Sequence, residues 1–370
     1  MKNYNIDALK ILIRITLFSS FCLTYNLSAQ TESNWANPLN RCWVNQIDNS
    51  FALVNASDNG QNLNNLSNTA LLFSQNSIKH INASNGDVNW ETKIGGQILF
   101  EPIVIENTIF LLSKTETENS YPYLNSIDIK SGLHNWKKEI PFGWRLFGSS
   151  NNKRIFLIKQ NKSISSIKMT DGNLEWITEL KNEISNLLSA EGKIFLLTEQ
   201  NKIIIISEID GKIEDELKTK DKIISIKKSR TELFWADAKG NITSFNLQGR
   251  KIVWHRKIGG RISNINSYKN TLFISSLDNF IYFFNVKNGK ILLRRRLDGR
   301  ILNKPAIQDS IFAISAYNSL QISIFDAKKN MLINQISLSD ADLFVESFIF
   351  AGKYLIITTP KSISAYSFKC

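Results

Sequence analysis

Residues 82–90 read NASNGDVNW, residues 128–136 read DIKSGLHNW and residues 168–176 read KMTDGNLEW. In each, a glycine stands four residues before a tryptophan, behind a short β-prone run. Further copies are DGKIED, ending at Asp215, and QGRKIVW, ending at Trp254 with its glycine one residue early. NGKILL follows, ending at Leu293, then KNMLIN, ending at Asn334 with both signature residues gone. From Trp90 onward the spacings are 46, 40, 39, 39, 39 and 41 residues. A period of this size marks a repeat architecture rather than two or three unrelated domains.

A second phase runs beside the first. Apolar runs such as IFLLS, IFLIK and LFISS place Leu71, Phe110, Phe156, Phe195, Phe234, Phe273, Phe312 and Leu355 at equivalent positions. Each run is followed within a few residues by another strand-like segment, for example SISSIKM or KIIIISE. The units are rich in Ile, Phe, Leu and Tyr and broken by polar dipeptides such as DG and NG, which are strand and hairpin signals. Sustained helical spacing is absent from the repeats. Four short strands per unit of about 40 residues predict a propeller blade, and eight units predict an all-β, eight-bladed β-propeller. A solenoid of stacked hairpins is the alternative architecture.

The ends of the repeat region favour the ring. The eighth copy stops at SISAYSFKC, without its glycine, tryptophan or fourth strand. Far upstream, NRCWVNQI carries Trp43 in a strand-like segment that precedes the first glycine. This N-terminal strand is expected to complete the last blade, close the ring and remove an open sheet edge. Superposing repeats puts Cys370 on Asn85 and Cys42 on Asn89, which flank the hairpin turn missing from the eighth blade. A disulfide there would replace that turn; two unpaired thiols are the alternative.

Residues 30–370 are therefore expected to form a single propeller. Residues 1–29 read as a secretory signal peptide: Lys2, Lys10 and Arg14, then the apolar run Ile15 to Leu23, then Leu27 and Ala29 at the cleavage positions. The run is too short to span a bilayer as a helix. Cys22 follows Phe21, where a lipid-attachment site wants a small residue, so it reads as part of the cleaved peptide.

The composition is that of a globular chain of 370 residues. Three Cys exclude a multi-bridge disulfide scaffold, and three His count against His-rich metal sites. The net charge of +12 falls to about +10 once Lys2, Lys10, Arg14 and Asp7 are set aside. Cations concentrate in the fourth strands and the turns after them, WKKEI, WHRKIGGR and LLRRRLDGR, most densely at Arg294, Arg295, Arg296 and Arg300. Such a patch suits an anionic partner, either an acidic protein surface or phosphate-bearing headgroups. It equally suits protection of an exposed sheet edge. The export signal counts against nucleic acid.

The pattern [D/N]-x-x-x-G-x-x-x-W resembles the pyrroloquinoline-quinone-type β-propeller repeat family over nearly all of residues 35–370. Asn82, Asp128, Asn285 and Asp326 stand eight residues before the tryptophan position, while Lys168 and Ser207 depart from the pattern there. Pro102 and Pro305 match the proline often found near an inner strand. The resemblance implies that Trp43, Trp90, Trp136, Trp176 and Trp254 pack between blades. It implies that Gly86, Gly132, Gly172, Gly211 and Gly289 supply the turn joining the third and fourth strands.

Quinone-dependent dehydrogenases and the outer-membrane assembly factor BamB share this repeat. A signal peptide, one ring and no further domain are most similar to BamB. That similarity implies a non-catalytic periplasmic scaffold without cofactor or metal, associated at most peripherally with the outer membrane. Its implied partners are barrel-assembly machinery proteins and nascent outer-membrane proteins. A quinone-dependent or other ligand-binding propeller is the alternative. The enzymes carry adjacent cysteines, and this sequence has none. Asp237, Asp278 and Glu199 follow the apolar strands and are expected to be solvated loop acids. His80, His134 and His255 fall in different blades, so no catalytic or metal site is expected from them. Residues 55–68 and 115–122 are candidate contact loops.

Overall fold

The computed structural model describes residues 34–370 apart from 48–50, 55–67, 116, 118–119, 142–143, 149–153, 160–161, 230 and 303. The signal peptide, Cys22 and most of the 55–68 loop lie outside the described residues. Eight antiparallel sheets form a closed ring, an eight-bladed β-propeller. The third blade is representative: Trp144–Gly148, Arg154–Lys159, Ser163–Lys168 and Leu174–Glu179 pair in chain order from the axis outward. No helix among the described residues is long and apolar enough to cross a membrane.

Burial explains why the strands read as they do. The two middle strands of a blade are covered on both faces by neighbouring blades, so they are apolar without alternation. In the fourth blade, Ile203, Ile204, Ile205 and Ile206 in Lys202–Ser207 are all buried, as are Ile194, Phe195, Leu196 and Leu197 in Lys193–Thr198. Each core cluster joins two blades. Phe156, Ile158 and Ile164 of the third blade pack with Ile184, Ile194, Leu196 and Ile206 of the fourth. The outermost strands are mostly exposed, as in His134–Glu139 and Ile291–Arg296.

The ring closes as the repeat phase predicts. Asn40–Gln46 pairs antiparallel with Ser362–Ser367, placing Trp43 opposite Ala365. Across the junction with the first blade, Leu53, Ala70, Leu72 and Ile81 share a cluster with Tyr354, Ile356, Ile363 and Ala365. The second blade departs from the regular plan. Its inner strand is split into Gln97–Ile98 and Ile103–Ile105, both paired with Thr108–Lys114. Pro102 sits in the gap, where its missing N–H cannot continue the ladder. Pro305 immediately precedes the inner strand Ala306–Gln308 of the seventh blade.

Candidate functional site

The tryptophans and turn glycines meet across blade junctions. Trp90 of the first blade lies over Gly132 of the second, so close that a Cβ at Gly132 would come 2.6 Å from its ring. Gly132 has φ of +72° and its N–H closes the turn onto the Asp128 carbonyl at 2.9 Å. Both the turn conformation and the contact therefore exclude a side chain. The same contact joins Trp43 to Gly86, Trp136 to Gly172, Trp176 to Gly211 and Trp254 to Gly289. Each indole N–H also donates to a carbonyl of the next blade: Ala83, Ile129, Met169, Glu208 and Val286, at 2.7–3.1 Å.

Two further parts of this junction escaped the sequence reading. The residue two after the tryptophan donates to the same glycine's carbonyl: Asn45 to Gly86, Thr92 to Gly132, Thr178 to Gly211 and Arg256 to Gly289. Opposite the tryptophan on the third strand stands a small residue: Ser126, Ser166, Ser244 or Ala365. Over that small residue the indole reaches the phenylalanine of the second strand, as in Phe110–Trp136 at 6.0 Å and Phe234–Trp254 at 5.8 Å. His80 opposite Trp90 is the large exception. Where tryptophan is absent, the opposite residue is bulky: Ile205 faces Asp215, Phe283 faces Leu293 and Ile324 faces Asn334. The clue was in the sequence, in the residue of the third strand that each tryptophan covers.

The blades without tryptophan use other contacts. Asp215 forms an ion pair with Arg250 in the turn of the next blade. Leu293 packs on a cluster containing Phe273, Phe283, Phe312 and Phe325. Asn334 donates to the carbonyls of Trp35 at 3.0 Å and Asn37 at 2.7 Å. The 3-10 turn Asn34–Ala36 thus fills the place of the turn that the eighth blade lacks. Trp35 is buried there, edge-on to Phe350 at 4.7 Å. Cys42 and Cys370 are joined by a disulfide with Cα atoms 5.2 Å apart.

The candidate chemical groups do not converge. Asp237, expected in solvent, is instead buried, because its carboxylate accepts the Lys239 and Asn241 N–H groups and clamps a tight turn. Asp278 accepts from the Phe280 N–H and from the Tyr282 hydroxyl at 2.7 Å. Glu199 pairs with Lys222. Half-buried His80 stacks beside Trp90, and desolvation lowers its pKa. His255 Nδ1 lies 3.0 Å from the Thr243 hydroxyl, and His134 is exposed. Among the described residues no group of three His, Cys, Asp or Glu is placed to hold a metal. A cleft of about 400 Å³ beside the first and second blades is lined by uncharged groups, chiefly Gln75, Asn76, Gln97 and Thr115.

The basic residues occupy the rim. Arg294, Arg295 and Arg296 end the outer strand of the sixth blade, and all three are exposed. The Arg294 guanidinium lies over the Phe280 ring, 3.9 Å from its centroid. Arg300 follows in the turn to the seventh blade and is also exposed.

The ring defines the class of protein: an eight-bladed β-propeller. A family model described as a domain of unknown function, DUF5074, matches residues 133–299, from the outer strand of the second blade to just beyond that of the sixth. A search of curated protein sequences finds no significant match. Among solved structures, BamB from Moraxella catarrhalis is similar with TM-score 0.64 at 10% identity, covering 89% of this chain and 100% of that one. The computationally designed protein Ika8 is similar with TM-score 0.70 at 11% identity, over 87% of this chain and 98% of the other. The β-propeller domain of Cps50 (Swd1) from Myceliophteria thermophila gives TM-score 0.52 at 10% identity, over 70% and 93%. At such identities the likeness is one of fold, and a designed protein among the matches underlines that fold alone carries no function.

Proposed function

We propose that this protein is a non-catalytic periplasmic scaffold, BamB-like in role. It assists assembly and insertion of β-barrel proteins into the outer membrane by contacting barrel-assembly machinery proteins and nascent outer-membrane proteins. The observation that carries the reading is the rigid closed ring itself. Asp237 and Asp278 serve turns and Glu199 an ion pair, while exposed outer strands and loops form the surface on offer. Likeness to BamB over the whole of that chain supports the same reading, as does the repeat resemblance. Outer strands with unpaired backbone also suit β-augmentation by an incoming extended segment.

Affinity capture of the tagged protein from its own cell envelope tests this. Recovery of barrel-assembly proteins is the expected result. Their absence, together with tight calorimetric binding of pyrroloquinoline quinone, overturns the scaffold in favour of a cofactor-binding propeller.

A further inference from the structure

The outer strands of the fifth and sixth blades are cationic without acid, whereas those of the seventh and eighth, also without acid, carry no cation and one cation respectively. Lys251–Lys257 and Ile291–Arg296 contain no acidic residue, whereas the corresponding strands of blades one to four each contain at least one. Their cations are exposed, and among the described residues Lys251, Lys257, Arg295 and Arg296 have no ion-pair partner. Between the cations lie exposed aliphatics: Ile252 is 60% accessible, Val253 41%, Ile291 47% and Leu292 39%.

The two strands are linked at one junction. Trp254 of the fifth blade donates to the Val286 carbonyl, and Arg256 donates to the Gly289 and Asn288 carbonyls in the turn that feeds the sixth blade's outer strand. The end of Lys251–Lys257 therefore meets the turn that carries Lys287 and Lys290, so Arg256 joins those lysines beside the start of Ile291–Arg296. Arg294 is held against Phe280 and Tyr282, so part of the cationic margin is pre-positioned.

We propose that this rim binds the surface of an anionic phospholipid bilayer. The cations would meet headgroup phosphates, and the aliphatic strip would enter the headgroup–acyl boundary. An acidic protein segment would satisfy the cations and leave the aliphatic strip without an apolar partner. A lipid interface satisfies both. The proposal stands independently of any role in barrel assembly.

Vesicle co-sedimentation of the full chain tests it, with phosphatidylcholine vesicles against equimolar phosphatidylcholine–phosphatidylglycerol. Neutral vesicles measure what the apolar run Ile15 to Leu23 contributes in every variant. Binding to anionic vesicles in excess of neutral ones is expected, weakening as salt is raised. Arg295→Gln with Arg296→Gln should weaken it roughly 30-fold, while lysine at both positions retains most of it. Ile252→Ser with Leu292→Ser should weaken it at unchanged charge. Equal circular dichroism and melting temperature among the variants establish that the ring is intact. Unchanged anionic binding in the glutamine variant overturns the proposal. Salt-sensitive binding to polyglutamate without vesicle binding overturns it in favour of an acidic protein partner.

Discussion

Trp136 lies across Ser126 and meets Phe110, and this row of three shows how each blade sizes its outer layer. Replacing Ser126 with Ile should force the indole off its neighbour and cost about 2 kcal/mol, read by urea denaturation. Gly132→Ala should cost about 2 kcal/mol or more, since it meets both the unfavourable φ and the Trp90 ring. His80 supplies a pH signature. Burial lowers its folded pKa below the ordinary 6.5. Stability is therefore full above 6.5 and falls as pH drops from there towards the lowered folded value, where only the unfolded chain takes up the proton. The melting temperature should decline as pH drops below about 6.5, and His80→Ser should flatten part of that decline.

At the scale of elements, the outer strand Asn40–Gln46 depends on partners far along the chain. The Cys42–Cys370 bridge closes a separation of 328 residues. In the chain-entropy account this contributes about 6 kcal/mol at most. Cys42→Ser with Cys370→Ser should lower the melting temperature, and amide exchange should accelerate first in Asn40–Gln46. Protection there as slow as in the bridged protein would show that pairing with Ser362–Ser367 suffices.

The repeated parts of these elements were legible in the sequence because each junction imposes the same geometry. Glycine and tryptophan therefore recur in register from Gly86–Trp90 to Gly172–Trp176. Apart from the closing strand and its cysteine pair, what occurs once was not legible. Trp35 precedes the repeats and has no counterpart in phase with it. Asp215 and Arg250 come from neighbouring copies that both lack the regular motif, and only the folded junction brings them together. Asp237 read as a solvated loop acid because two of its three donors are backbone N–H groups, which leave no trace in residue identity; the third is the Asn241 side-chain amide.

For the molecule as a whole, the ring has one covalent gap and several devices across it. Asn40–Gln46 supplies the strand, Asn34–Ala36 the missing turn, and Cys42–Cys370 the link. A chain beginning at residue 47 should leave Ser362–Ser367 as an apolar, unpaired edge. Size-exclusion chromatography should then show self-association that the intact ring does not show.

That arrangement also orders events in time. The strand at Asn40 leaves the ribosome early, and its partner Ser367 leaves late. At ordinary elongation rates the interval is on the order of 20 to 60 s. Throughout it the first strand has no place to dock, and Cys42 has no Cys370 to meet. The native bridge therefore cannot form before the eighth blade has been made, and its presence in a newly made chain shows that synthesis has reached Cys370.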